Sequence, residues 1–377
     1  MENTNKTNRI GIDARFYGPV GKGLGRYTQE VADNIIKLDG ANEYVIFLRR
    51  ENFSEFSCGG LRVKKVLADI KWYGLAEQVI FPFQIWLERL DLMHFPHFNV
   101  PLFCPVKFVV TIHDLILIKF PTWRATTLGP AIYKIKNLAY KIVISRAVRR
   151  AKKVLAVSQF TKNEVVKQFK ISPDKVVVTY EGVADLVPLD KGGLRGIIPP
   201  YLLYVGNAYP HKNLEGLIKV FTEINKIRPD LKLVLVGKED YFYSRLKQFA
   251  KNFSANIIFP GYVPDDELGA LYNNALAYVF PSFYEGFGLP PLEAMAHGLP
   301  VVSSNKTCLP EILGDAALYF NPDDEADMKN KIERVITDEN LRASLRDRGY
   351  EQIKKYSWSD CAEKTLEVYK DILFYQN

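Results

Sequence analysis

Cysteine is scarce in this chain. The 377 residues hold four, Cys58, Cys104, Cys308 and Cys361, far apart and with no CxxC pair. That spacing argues against a disulfide framework and a zinc ribbon, and it fits thiols kept reduced in a cytosol. Long apolar runs are missing too, since no stretch approaches the roughly 18 residues of a spanning helix. The polar residues 1–9 are not followed by the apolar segment that a secretory signal requires. Histidines number five, and none has the spacing of a metal ligand set. No Asp-x-Asp follows a strand end in a diphosphate-binding context, so neither a metal nor another cofactor is expected.

Carboxylates are absent from one stretch. Between Lys134 and Lys153 stand Lys134, Lys136, Lys141, Arg146, Arg149, Arg150, Lys152 and Lys153, with no Asp or Glu, although the net charge is only +7. On a helical wheel Ile144, Ala147, Val148 and Ala151 fall on one side and Arg146, Arg149, Arg150 and Lys153 on the other. Earlier, Ile135, Leu138 and Ile142 interleave with the cations. Two readings stand: a core helix with a solvated basic face, or peripheral contact of 134–153 with an anionic membrane at about 1 kcal/mol per close cation. The location expected is cytoplasmic, on the second reading at the inner face of the cell membrane. Nucleic acid is not an expected partner, because no reading motif accompanies the charge.

What is present suits a globular protein. Hydrophobic residues make up 47% and charged residues 25% of the chain, and the length favours two domains. Strand and helix alternate, which predicts parallel sheets covered by helices. Strands are expected near 10–14, 44–48, 108–112 and 153–157, with a glycine loop from Gly18 to Arg26 after the first. The pattern breaks around Gly192-Gly193 and Pro199-Pro200. The expected division is a Rossmann-like domain over 1–188, a linker over 189–200, and a second such domain over 201–358. In the second, strands are expected at 201–205, 231–236, 255–259, 277–280, 300–303 and 317–320. A last helix is expected over 359–373, with Ala362, Leu366, Tyr369 and Leu373 on one face.

The most informative segment is Ser282-Phe283-Tyr284-Glu285-Gly286-Phe287-Gly288-Leu289-Pro290-Pro291-Leu292-Glu293. A strand precedes it, and a short helix follows with Pro291 at its first position and Gly298 just past its last. Glu285 then lies in the loop and Glu293 in the first helical turn. The glycines permit close backbone approach, and the helix start offers free amides. Carboxylates suit hydroxyls and amides suit phosphate. A phosphorylated polyhydroxyl ligand would use both. Phe283, Tyr284 and Phe287 read as a ligand wall. The plain alternative is a surface loop with two solvated glutamates.

Glu285-x7-Glu293 in this setting resembles the signature of the retaining glycosyltransferase family 4. Tyr201–Asn207 followed by His211-Lys212-Asn213-Leu214, Val157–Thr161, Lys175–Val178 through Gly182-Val183, and Val110-Thr111-Ile112-His113-Asp114 resemble other segments of that family. The resemblance implies a GT-B fold: two Rossmann-like domains facing each other across a cleft, with the C-terminal helix (359–377) returning to the N-terminal domain. It implies His113 and Glu285 as catalytic, and Gly23, Asn207, Lys212, Gly286, Phe287, Gly288, Leu289 and Glu293 as donor-binding. Glu293 would hold the ribose hydroxyls, Glu285 the sugar, and the nucleobase would rest near Gly261-Tyr262-Val263. Many members carry arginine where Asn207 stands, which leaves Lys212 as the main cation, with Lys22 and Lys238 as lesser candidates. His211 reads as shaping the Lys212 turn. His94 and His97 are open between core and acceptor wall.

The implied reaction moves a sugar, mannose from GDP-mannose on the tone of the motifs, onto a lipid-linked or polysaccharide glycan. A UDP-sugar donor, a sugar-nucleotide epimerase, a phosphorylase and a non-catalytic sensor are the alternatives. A glycosidase-like double displacement needs a nucleophilic carboxylate beside the acid. With Glu285 and Glu293 assigned to hydroxyls no third carboxylate stands out, so front-face substitution is expected.

Overall fold

The computed structural model describes residues 7–19, 22–57, 62–120, 130–183, 200–253 and 255–374. The chain divides into two compact units, one of Met1–Leu115, Lys134–Gly182 and Ser357–Asn377, the other of Ile116–Tyr133 and Val183–Tyr356. The expected linker, 189–200, lies outside the described residues except for Pro200.

The elements through the first sheet are β1 (Arg9–Asp13), α1 (Lys22–Leu38), β2 (Glu43–Leu48), β3 (Val63–Leu67), α2 (Leu75–Leu87), β4 (Leu92–Phe95), β5 (Phe108–Ile112), α3 (Ile116–Lys119), α4 (Pro130–Arg150), β6 (Lys153–Ala156), α5 (Gln159–Phe169) and β7 (Val176–Val178). Among the described residues the strands order as β3-β2-β1-β4-β5-β6-β7, all parallel. β4 and β5 are buried throughout, as unbroken apolar runs should be when helices cover both faces. The edge strand β3 instead carries exposed Lys64 and Lys65, which discourages pairing with another chain.

The second series runs β8 (Tyr201–Val205), α6 (Leu214–Ile227), β9 (Lys232–Val236), α7 (Tyr241–Ala250), β10 (Ile257–Gly261), α8 (Asp265–Asn274), β11 (Ala277–Phe280), α9 (Leu289–Ala296), β12 (Val301–Ser304), α10 (Leu309–Leu313), β13 (Ala317–Phe320), α11 (Glu325–Thr337), α12 (Glu339–Ile353) and α13 (Trp358–Phe374). Its sheet orders as β10-β9-β8-β11-β12-β13, again parallel. In both, the chain adds its first three strands towards one edge and then continues on the other side of the first, so the switch points lie between β1 and β4 and between β8 and β11. Ligands of such sheets sit beyond the carboxyl ends of the strands at that point.

Two further features differ from expectation. Ile116–Tyr133 groups with the second unit, although it follows β5 in sequence; Phe120 stacks on Phe283 with ring centroids 6.0 Å apart. In α13, which packs along α1, Ala362, Leu366 and Tyr369 are buried as expected, but Ile372 rather than Leu373 completes the face. A buried hydrogen-bond chain fixes this helix. Tyr369 bonds His94 Nδ1 at 2.6 Å, His94 Nε2 meets Thr111 Oγ1 at 2.9 Å, and Thr111 meets the Tyr27 hydroxyl at 3.1 Å. Burial pushes the His94 pKa down to about 3, so the ring stays neutral and serves the core.

Candidate active site

The carboxyl end of β11 leads into the segment singled out above. Gly288 has φ 95° and caps α9, and a Cβ there would stand 2.9 Å from Leu309 Cδ2. Only glycine suits such a position. The helix starts at Leu289, two residues earlier than expected, with Pro290 and Pro291 in its first turn. That turn accepts proline because its amides have no intrahelical acceptor. Glu293 therefore falls two residues deeper than expected, in the second turn, half-buried, with the Tyr272 hydroxyl 3.5 Å from its Oε2. Gly298, φ 69°, follows α9 as expected.

The aromatic wall is not formed as expected. Tyr284 and Phe287 are buried. Phe287 packs edge-on against Tyr356 at 5.5 Å, and its carbonyl accepts from Cys308 Sγ. Placing rings of this size in the core recovers more apolar area than lining a solvated loop. Phe283 is the partly exposed one of the three.

The turn after β8 is joined to this loop. Phe283 N donates to the His211 carbonyl at 2.8 Å. Pro210–Lys212 form a 3₁₀ turn that ends at left-handed Asn213, φ 55°, whose Nδ2 donates to the Pro322 carbonyl. Asn207 is held locally: its carbonyl accepts from Tyr204 Oη at 2.8 Å and its Oδ1 from Tyr209 N at 3.3 Å. The result is a close pair, Lys212 Nζ to Glu285 Oε1 at 2.5 Å, with side chains only 12% and 9% exposed. The ammonium also lies 5.4 Å from the Phe280 ring centroid. Thr307 Oγ1 accepts from the Glu285 amide at 3.1 Å. His211 is buried next to this charge, and burial with Lys212 lowers its pKa to about 4. The sequence reading has His211 shaping the Lys212 turn, and the residue lies in that turn. Lys212 and Glu285 thus meet at the β8/β11 switch point, with Gly286, Phe287, Gly288 and Leu289 continuing the same loop into α9.

In the first unit, His113 follows β5. Its Nε2 donates to the Pro96 carbonyl at 2.9 Å and its Nδ1 lies 3.1 Å from Glu181 Oε1. The Tyr27 ring stands edge-on at 4.5 Å. Burial opposes charge on the ring, but the Glu181 carboxylate, the Pro96 carbonyl and Asp114 outweigh it, and the pKa is raised. A ring whose two nitrogens both face acceptors favours the doubly protonated form. The stability this pair contributes is fully present below the unfolded histidine value, near 6.5, and is lost as pH rises through the higher folded value. Glu181→Gln should therefore flatten the fall in unfolding free energy as pH rises above the ordinary histidine range. Urea melts over that rise in pH check this; an unchanged slope would mean that the ring does not titrate against Glu181.

Gly23 sits in the first turn of α1, exposed. The glycine loop expected over 18–26 is thus shorter, since the helix begins at Lys22; residues 20 and 21, and the Lys22 side chain, lie outside the described residues. A Cβ on Gly25 would stand 2.0 Å from the Gly18 carbonyl oxygen, so close packing of chain on chain explains that glycine.

Sequence reasoning missed three groups. Glu181 has no local signal, since only the parallel course of β7 carries it to His113. Thr307 is similar. A buried cluster at the carboxyl end of β1 had one: Asp13 and Arg15 flank the end of an apolar strand. Arg15 bonds Asp13 through Nε and Nη2, both at 2.7 Å, and pairs with Glu77 Oε1 at 2.7 Å. Asn99 donates to the same carboxylate.

Two Rossmann-like units, each a parallel sheet with one switch point, are the parts of a GT-B fold. Family models agree with each half: "Glycosyltransferase Family 4" matches residues 21–185 and "Glycosyl transferases group 1" matches residues 198–352. The chain is 32% identical over 290 residues to O-antigen chain mannosyltransferase B of Escherichia coli, covering 74% of both chains. It is 31% identical to O-antigen chain mannosyltransferase RfbU of Salmonella typhimurium, over 68% of this chain and 70% of that one. Sucrose-phosphate synthase from Thermosynechococcus elongatus shares the fold, with TM-score 0.75, 17% identity, and 98% and 100% of the two chains covered. The chain belongs to this glycosyltransferase family, with a family 4 N-terminal half and a group 1 C-terminal half.

Proposed function

We propose that this glycosyltransferase is a retaining hexosyltransferase that moves mannose from GDP-mannose onto a lipid-linked or polysaccharide glycan. The O-antigen mannosyltransferases named above support the sugar and the acceptor class. The observation that carries the reading is the Lys212–Glu285 pair at the β8/β11 switch point. Lys212 stabilises charge growing on the departing phosphate, aided by backbone amides of Gly286–Leu289 at the start of α9, as preorganised donors do. Asn207 contributes an uncharged hydrogen bond. Glu285 holds the ammonium in place and accepts from donor-sugar hydroxyls. Glu293 accepts from the ribose hydroxyls. In front-face substitution the C1–O bond to the phosphate breaks as the acceptor oxygen bonds C1 from the same side. The acceptor proton passes to the leaving phosphate, and GDP departs. His113, whose pKa is raised beside Glu181, and Gly23 are assigned to the transferred sugar and the donor phosphate.

The basic segment 134–153 makes peripheral contact with an anionic membrane in this reading. In α4, Ile144, Ala147 and Val148 are buried while Arg146, Arg149 and Arg150 are exposed. No helix among the described residues is long and apolar enough to cross a membrane.

Calorimetric titration tests the donor site. GDP-mannose should bind at least tenfold more tightly than UDP-glucose. Glu293→Ala should weaken it about 10–100-fold, since hydrogen bonds to a charged group contribute about 1.5–3 kcal/mol. Preference for UDP-glucose would reassign the donor, and unchanged affinity in the variant would remove Glu293 from the site.

A further inference from the structure

Helix α2 turns its apolar side outward. Phe81, Ile85 and the Glu77 carboxylate face inward, the last fixed by Arg15 and Asn99. Leu75, Val79, Ile80, Phe83, Trp86 and Leu87 are between 47% and 88% exposed. At 3.6 residues per turn these six cover a continuous arc of roughly 140° on the helix, and no charged side chain interrupts it. Large contiguous apolar patches on a protein surface mark an interaction site.

The neighbouring surface says with what. Leu102 joins α2 to α4: its amide donates to Gln78 Oε1 of α2 at 2.8 Å, and its carbonyl accepts from Arg146 and Arg150 of α4 at 2.7 and 3.2 Å. The next residue, Phe103, is exposed and lies under the Arg146 guanidinium at 4.9 Å. Further along α4, Ile135, Leu138 and Ile142 are exposed among Lys134, Lys136 and Lys141. From residue 115 to 163 the sequence has no Asp or Glu. A bare apolar helix side beside an acid-free field of cations matches a layer that is anionic at its surface and apolar beneath. A protein partner would be expected to meet some of these cations with carboxylates at fixed positions, and it needs no such uninterrupted basic stretch.

We infer that α2 is a membrane-insertion element: it lies in the interface of an anionic phospholipid bilayer with Phe83 and Trp86 among the acyl chains, while α4 engages the lipid headgroups. The inference rests on the α4 membrane contact proposed above and adds the element that enters the bilayer. An interfacial helix of this kind sinks about 5–10 Å, and cations near it add attraction that salt weakens.

The test is flotation of the full chain with vesicles of phosphatidylcholine alone or with about one-third phosphatidylglycerol, beside the double variant Phe83→Asp/Trp86→Asp and the triple variant Lys134→Glu/Lys136→Glu/Lys141→Glu. All these side chains are exposed, and thermal unfolding followed by circular dichroism checks that each variant is folded. The wild type should float with the anionic vesicles, and both variants should lose more than tenfold in partitioning. If the α2 variant floats like wild type while the α4 variant does not, the insertion role falls and the headgroup contact remains. Equal flotation with neutral vesicles, lost only in the α2 variant, overturns the α4 contact and keeps α2. Absence of flotation overturns both. So does a wild-type dimer that the α2 variant converts to monomer without any lipid binding, because a second copy then covers the face.

Discussion

Glu285→Gln should lower kcat by about 10²–10³-fold while GDP-mannose affinity stays within about threefold, the pattern expected when a preorganised electrostatic contact serves the transition state more than the ground state. The ammonium of Lys212 is nearly buried and has Glu285 as its ion-pair partner at 2.5 Å. In the proposed reaction the electron pair of the C1–O bond passes to the bridging oxygen of the departing diphosphate, and Lys212 must be aimed there at that moment. The amide of glutamine fills the same space and still accepts hydroxyl bonds from the sugar, so ground-state binding suffers little. It does not fix the ammonium by charge. Removing one partner of a buried pair also costs stability, about 3–5 kcal/mol in well-buried cases. The double variant Lys212→Met/Glu285→Gln leaves neither charge stranded. It should therefore melt closer to wild type than either single variant, yet be as inactive as the worse one. Turnover of Glu285→Gln within threefold of wild type would remove this carboxylate from the chemistry.

How much of this was legible in the sequence depends on the range of the interactions. The parallel sheets followed from apolar runs alternating with helical periods, and the glutamate spacing led to the loop and α9. The start of α9 was misplaced because proline is compatible with any first-turn position, so Pro291 alone could not say which. Phe287 and Tyr284 were misread because an aromatic next to glycine looks exposed until the strand beneath it is known to be buried. Glu181 and Thr307 meet His113 and Glu285 only through strand order, a long-range property that no local pattern of residues carries. Along α4 the wheel placed Ile144, Ala147 and Val148 inward correctly, but the bare outer side of α2 could not be read from a segment that is apolar nearly all round.

That same helix is fixed from within by the cluster whose loss should be felt most in stability. Arg15 is fully buried between Asp13 and Glu77, with its guanidinium 3.9 Å from the Phe81 ring centroid. Glu77 also accepts from Tyr73 N at 2.8 Å. Burial already raises the Glu77 pKa, with Arg15 pulling it back. Arg15→Met keeps the length and the contact with Phe81 but leaves two carboxylates facing each other in the core. We expect a loss of about 3–5 kcal/mol at pH 8. Without its cation Glu77 takes up a proton more readily in the folded than in the unfolded chain. Its pKa then lies further above the unfolded value than in the wild type, so the deficit shrinks as pH falls towards that value and grows as pH rises. Urea melts of the full chain at pH 5.5 and pH 8 should show the smaller deficit at the lower pH. Adding Glu77→Gln to Arg15→Met should restore part of the loss at pH 8, because an amide still bonds Asn99 and carries no stranded charge. A deficit below about 1 kcal/mol at both pH values would mean that the three charges are not coupled as their distances imply.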